Sequence, residues 1–456
     1  MSKKNNIKKV CVIGLGFVGS AMSIAISSAE DSNGNHLFDV VGIDKDSELG
    51  LQRINSLNNA IFPFPSRDKK LKKYLQLSIK TKKNFRATSH DNDLETADVV
   101  IVDINLDVLK LRKGYEVNLE SFLDCIKNIG SKINKSCLVI IETTVPPGAT
   151  SELVLPMLKK EFLARGIADV PLLAHSYERV MPGPNYFDSI KNFPRVYSAT
   201  SKMAKTKASK FFKNIINGEL SFVHSTTASE MAKVLENSYR AMNIAFIEEW
   251  TLFAEKANVN LYEILSNIKK RTTHSNIMSP GLGVGGYCLT KDSLLADWSS
   301  QSLFRAGHLS ASVNAVEIND NMPKNIYSRI KDELVASGCN VLLLGLSYLP
   351  DVGDERSSPS GILHELLRND DFKVEVIDEY LNYWHAREMR IHKEPLKESY
   401  DAIILATPHK KYLSKFFLNK LNHLSPNLII DCWGKYKNSD FSQATRFIQV
   451  GNGAIG

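Results

Sequence analysis

Cysteine is sparse and scattered in this chain. The six, at positions 11, 125, 137, 288, 339 and 432, include no C-x-x-C pair, so neither a zinc site nor a redox dithiol is expected. Thiols this far apart in a large chain suit a reducing cytoplasm better than a disulfide framework. Long apolar runs are lacking too. No segment reaches the about 20 consecutive apolar residues of a membrane-crossing helix. Lys8–Lys9 followed by Val10–Ile26 imitates a secretory leader. Gly14, Gly16 and Gly19 interrupt it, and each would cost about 1 kcal/mol in a helix. Glycine and proline, 25 and 16 residues, are too few for a fibrous or low-complexity protein. No charge sign dominates: Lys+Arg (57) exceed Asp+Glu (50) by 7. That calls for no nucleic-acid partner and suits an anionic substrate. The lysines gathered at Lys3–Lys9 and Lys69–Lys83 read as solvated faces.

What is present is ordinary globular composition, with 43% hydrophobic and 23% charged residues in 456. At roughly 150 residues per domain, about three domains follow. Residues 1–199 alternate short β-branched runs (Val10–Ile13, Val40–Ile43, Val99–Ile104, Leu138–Ile141) with helical patterns, as buried parallel strands do. Residues 200–325 have almost no strand signal and carry helical runs over Thr227–Ala257 and Leu303–Asn321. Residues 326–456 return to alternation, with strands expected at Asn340–Leu346, Val374–Asp378, Ala402–Ala406 and Leu428–Asp431. The plan is α/β, then all-α, then α/β.

Gly14-Leu-Gly16-Phe17-Val18-Gly19 follows the run Lys9–Ile13 and opens a helical pattern, Ala21–Ser28. The first glycine permits a tight turn, the second lets a pyrophosphate approach, and the third lets helix and strand pack. Asp44 ends the next apolar run, Phe38–Asp44. It can accept hydrogen bonds from both ribose hydroxyls and would repel a 2′-phosphate, so the cofactor expected in this Rossmann-type domain is NAD.

Gly281-Leu-Gly-Val-Gly285-Gly286-Tyr-Cys288-Leu-Thr-Lys291-Asp292 is the most unusual segment. Its glycines let backbone touch a ligand, and Cys288 begins a helical pattern, Leu289–Trp298, where a thiol is nucleophilic. Asp292 follows by four residues, on the same face of that expected helix. Thr227–Ala257 carries Glu230, Lys233, Asn237 and Arg240. A Lys and an Asn one turn apart suit oxyanion stabilisation, and they suit a solvated outer face equally well. Glu142-Thr-Thr144-Val-Pro-Pro-Gly148 ends a buried strand at the carboxyl edge, where α/β proteins bind ligands. Ser176-Tyr-Glu178-Arg179-Val-Met-Pro-Gly183 sets a Glu and an Arg beside a turn. Either segment also reads as an ordinary loop.

In this order, the T-V-P-P-G, E-R-V-x-P-G, K-x-x-x-N and G-V-G-G-x-C-x-x-K-D elements, with Leu343–Pro359, resemble the UDP-glucose/GDP-mannose dehydrogenase family over nearly the whole chain. The resemblance implies an N-terminal NAD-binding Rossmann-type domain, a central helical catalytic and dimerisation domain, and a C-terminal Rossmann-like domain for the nucleotide sugar. It implies a cytoplasmic four-electron oxidation of a sugar C6 alcohol to a carboxylate, with two NAD+ reduced, serving surface polysaccharide precursors. By similarity Cys288 is the nucleophile, passing through thiohemiacetal and thioester. Lys233 and Asn237 stabilise the oxyanion, and Asp292 handles protons near the thiol. Thr144 positions water and cofactor, Glu178 serves thioester hydrolysis, and Arg356 reaches the cofactor. Gly14, Gly16, Phe17, Val18, Gly19 and Asp44 hold NAD. Arg179, Gly285 and Gly286 join Glu178, Lys233 and Asn237 around the substrate. No metal is implied, and a homodimer is expected.

The chain departs from the family pattern at Tyr177 (for Pro), Tyr287 (for His), Leu349 (for Lys) and Asp103–Asp107 (for V-P-T-P). The E-R-V-x-P-G form resembles the N-acetylhexosamine branch, so a UDP-N-acetylhexosamine such as UDP-N-acetylmannosamine is expected. UDP-glucose and GDP-mannose stay open. Two rivals remain: a two-electron hydroxyacid dehydrogenase, which needs no thiol, and a non-catalytic NAD-binding partner.

Overall fold

The computed structural model describes residues 8–180 and 183–454. Residues 3–7 of the first lysine cluster, and Met181 and Pro182, lie outside the described residues. The chain divides into two compact units, one of residues up to 236 with 294–308, the other of 237–293 with the residues from 309.

The first unit is built on strands β1 (Lys8–Ile13), β2 (Phe38–Ile43), β3 (Phe85–Thr88), β4 (Val99–Val102), a hairpin of β5 (Asp107–Lys110) and β6 (Tyr115–Asn118), then β7 (Leu138–Ile141), β8 (Leu172–Tyr177), β9 (Arg195–Ala199) and β10 (Leu220–Phe222). The eight-stranded sheet has the order β10-β9-β8-β7-β4-β1-β2-β3. Every pair in it is parallel except β8 with β9. Its central strands read as near-continuous Val/Ile runs because helices cover both faces, with one apolar core on each side. The leader-like segment is β1, the glycine loop and the helix Phe17–Ser27. The sheet runs past residue 199, because Leu220–Phe222 adds to β9 as an edge strand. The stretch 200–325 is therefore not wholly helical.

The second unit holds a parallel five-stranded sheet in the order Lys373–Ile377, Asn340–Leu344, Ala402–Leu405, Leu428–Asp431, Arg446–Gln449. A helix expected over Leu303–Asn321 spans Ser310–Ser337 instead. Arg305 and Gly307 take positive φ (52° and 96°) and break any helix before it. The helix also runs through Pro323. An internal proline costs about 3 kcal/mol, and this one is buried among the residues that pack the helix.

The long helix Thr226–Lys256 matches its sequence pattern closely, but its buried side mixes polar groups with apolar Val234, Ala241, Ala245 and Ile247. Ser229, Glu230, Lys233 and Glu248 are buried, whereas Met231, Leu235, Tyr239, Met242, Phe246, Trp250 and Phe253 are exposed. Of the polar stripe, Glu230 and Lys233 are buried and Asn237 is half-buried, whereas Arg240 is exposed.

Candidate active site

The first unit carries a dinucleotide cradle. Gly14 has φ +93°, and a Cβ there would sit 2.5 Å from the Asp103 carbonyl oxygen. A Cβ on Gly19 would sit 1.9 Å from the Gly14 carbonyl oxygen, whereas nothing lies within 4 Å of one on Gly16. Two glycines are therefore dictated by packing, and the middle one faces open space where a pyrophosphate fits. Gly16 caps the helix Phe17–Ser27 with no side chain, and no acid occupies its first turn. An anion can thus meet the N-terminal end of the helix. Phe17 stacks on Phe64 at 4.0 Å, and Val18 is half-buried beside it. Asp44, at the end of β2, faces Arg53 Nη1 at 3.3 Å, and Arg53 lies over Phe64 at 5.7 Å. The residues present fit NAD. Sequence reasoning missed Arg53, which is brought to Asp44 by the helix Glu48–Asn58.

The same unit joins Glu178 to Lys233. Lys233, 8% exposed, donates to the Glu178 carbonyl at 3.0 Å and lies 3.7 Å from its Oε1. The Val180 N–H fixes the other carboxylate oxygen. Tyr177, the departure from Pro, packs its ring 5.7 Å from Lys233 Nζ and 5.5 Å from Arg179. Arg179 also pairs with Glu236. The Thr144 turn is pinned from the long helix: the Gly148 and Thr150 N–H groups donate to Glu230 at 2.6 and 2.8 Å. Burial pushes the Glu230 carboxyl up to about 7, against the pull of those two bonds.

The second unit carries the thiol. The adjoining helix begins at Asp292, not Leu289. Cys288 sits in the preceding turn, where its carbonyl accepts from Lys291 N at 3.1 Å and Asp292 N at 2.9 Å. The helix starts late because the glycine loop is held by tertiary contacts. The Gly286 N–H donates to the Arg356 carbonyl at 2.9 Å, and Tyr348 fills the Cβ positions of Gly285 and Gly286 to 2.6 Å. Asp292 is fully buried. It accepts from Asn237 Nδ2 at 2.6 Å and Lys291 Nζ at 3.1 Å. Arg356 forks onto Asp354 at 2.6 to 3.1 Å, and its charge interacts with Cys288. Tyr287 lies 4.4 Å from Lys291 Nζ and 5.9 Å from Arg356. Leu349 is 37% exposed.

Three domain signatures of one family match this chain in order: its NAD binding domain over residues 8–216, its central domain over 227–321 and its UDP binding domain over 342–438. The chain belongs to the UDP-glucose/GDP-mannose dehydrogenase family. It is an NAD-dependent nucleotide-sugar dehydrogenase, which removes both the hydroxyacid-dehydrogenase and the non-catalytic readings. The chain is 30% identical over 430 residues to a UDP-N-acetyl-D-mannosamine dehydrogenase of Pyrococcus horikoshii, covering 93% of this chain and 94% of that one. It is 28% identical to a protein of the same name from Methanococcus aeolicus, covering 94% and 91%. A solved structure of a UDP-D-ManNAc dehydrogenase from Pyrococcus horikoshii superposes with a TM-score of 0.81 at 27% identity, covering 98% of this chain and all of that one. Among the described residues, no helix of this dehydrogenase is long and apolar enough to cross a membrane.

Proposed function

We propose that this dehydrogenase oxidises the C6 alcohol of a UDP-N-acetylhexosamine, foremost UDP-N-acetyl-D-mannosamine, to the uronate in a reducing cytoplasm. The product suits surface polysaccharide precursors. The reading is carried by the 30% identity to a relative of that name across both chains. Bound NAD+ supplies the hydride acceptor. The alcohol first loses a hydride and a proton to become an aldehyde. The Cys288 sulfur then adds to the aldehyde carbon, forming a C–S bond, and the oxygen takes up a proton. A second hydride leaves to give a thioester. Water adds, the C–S bond breaks and the carboxylate is released. One alcohol, one water and two NAD+ give one carboxylate, two NADH and three protons.

In this scheme Lys233 and Asn237 donate to the oxygen that carries developing charge. The Asn237 amide is already oriented by Asp292, and such preorganised donors are effective because no reorganisation accompanies the reaction. Asp292 also ties the Cys288 turn through its own N–H. Arg356 reaches the cofactor, as the family resemblance implies, and its charge also acts on Cys288. Glu178 activates the hydrolytic water, and the Thr144 turn positions it. Gly285, Gly286 and Arg179 border the sugar nucleotide. The exposed apolar stripe on the long helix, Met231 to Phe253, supports a homodimer, because a C2 contact is the commonest way to cover such a face. A panel of nucleotide sugars followed by NADH absorbance tests the substrate. UDP-N-acetyl-D-mannosamine should give the highest kcat/KM, and a higher value for UDP-glucose or GDP-mannose would refute this choice.

A further inference from the structure

Asp103 follows β4 where the family resemblance expects V-P-T-P, and no step above uses it. Val102 pairs with Ile141 in the parallel register of β4 and β7. Asp103 and Glu142 therefore leave neighbouring strands side by side. They are 8% and 2% exposed. Glu142 already has its counter-ion: Arg195, 3% exposed, pairs with its Oε1. One guanidinium cannot neutralise two buried carboxylates, and like charges held side by side away from water favour keeping one of them protonated. Among the described residues, Asp103 Oδ2 and Glu142 Oε2 are buried without a hydrogen-bond partner. Burial first, then Glu142, holds the Asp103 carboxyl well above the usual carboxylate range. The other charged groups around it do not change this. Glu178 pushes the same way and Arg195 opposes. Lys233 is engaged by Glu178. His175, on β8, is kept neutral by burial, which pushes it down to about 3. The helix Phe17–Ser27 brings no titratable side chain.

Asp103 is also part of the dinucleotide cradle. Its N–H donates to the Ile13 carbonyl at 2.8 Å, one residue before Gly14. Its carbonyl oxygen and Cβ lie 2.5 and 3.1 Å from the Cβ positions of Gly14 and Gly19. A charge gained at Asp103 therefore appears beneath the backbone that receives the cofactor's pyrophosphate.

We propose that Asp103 and Glu142 share one proton which the enzyme must keep to bind NAD+. With the proton, the Asp103 carboxyl is a neutral support for the loop. Once it is released to water, the second negative charge opposes the dinucleotide. Asp103 is thus a positioning residue for the cofactor.

The test uses the full-length enzyme and NAD+ without sugar, so it does not depend on the substrate assignment. NAD+ binding is titrated calorimetrically from about pH 6 to about pH 10 in two buffers of different ionisation enthalpy. Native affinity should fall by about tenfold as pH rises, with proton uptake on binding. The infrared difference between native apoprotein and Asp103→Asn should show the carbonyl band of one buried protonated carboxyl, beyond those of Glu230 and Glu248. Asp103→Asn should lose that band, bind NAD+ without proton uptake, and keep the low-pH native affinity throughout. Asp103→Val should behave alike, which preserves the test if the Asn variant does not fold. A pH-independent native affinity overturns the proposal, as does an Asn or Val variant that retains the pH dependence or the band.

Discussion

Asp44 accepts a hydrogen bond from the Lys45 N–H at 2.9 Å and presents its other oxygen to Arg53. Its carboxylate would repel a 2′-phosphate, so kcat/KM should strongly favour NAD+ over NADP+; near-equal values with Asp44 intact would contradict this. Asp44→Ala should weaken NAD+ binding by roughly 1–3 kcal/mol, the scale of one or two hydrogen bonds to a charged acceptor, as read by calorimetry. Lys233→Ala should slow both oxidations by about 10²–10³, the loss typical of one oxyanion donor. Rapid mixing that shows only the second hydride transfer slowed would argue against that role. The glycines and Asp44 were legible in the sequence because each meets a local demand: a turn, an open approach, a charge at a strand end. Arg53, the Glu230 clasp and the Asp103–Glu142–Arg195 cluster were not. Their partners lie 9 to 82 positions apart in the chain, and no periodicity relates them.

At the scale of elements, the long helix carries two buried acids. Burial pushes both Glu230 and Glu248 up to about 7, above the ordinary 4.5. A carboxyl raised on folding contributes stability while protonated, fully so below its unfolded pKa. That contribution is lost as pH climbs through the folded value. Melting temperature should therefore decline between about pH 4.5 and about pH 7 from these two groups, and Glu230→Gln should flatten part of the decline. A Gln variant with an unchanged pH profile of melting would show that Glu230 does not titrate there. The helix itself was legible to within a residue at each end, since its pattern is long and strongly helical. The start at Asp292 was not, because Tyr348 and the Arg356 carbonyl, far along the chain, hold the preceding loop. The short edge strand β10 was hidden for a similar reason: three residues, Leu220–Phe222, carry too little pattern until β9 is beside them.

At the scale of the whole molecule, the stripe from Met231 to Phe253 should cover itself in a dimer. Sedimentation at micromolar concentration should show twice 51.0 kDa or a larger even assembly. Leu235→Glu with Phe246→Glu should shift the population toward monomer; a native protein that sediments only at 51.0 kDa would end that reading. The central claim is that one thiol carries the second of two oxidations. Alcohol oxidation needs no thiol, whereas the aldehyde has no hydride placed for transfer until a nucleophile adds to it. The most direct measurement counts NADH formed per sugar by Cys288→Ala and identifies the product by mass. The account predicts no carboxylate and at most one NADH per sugar, where the native enzyme gives two and the uronate. Two NADH and a free uronate from Cys288→Ala would contradict it.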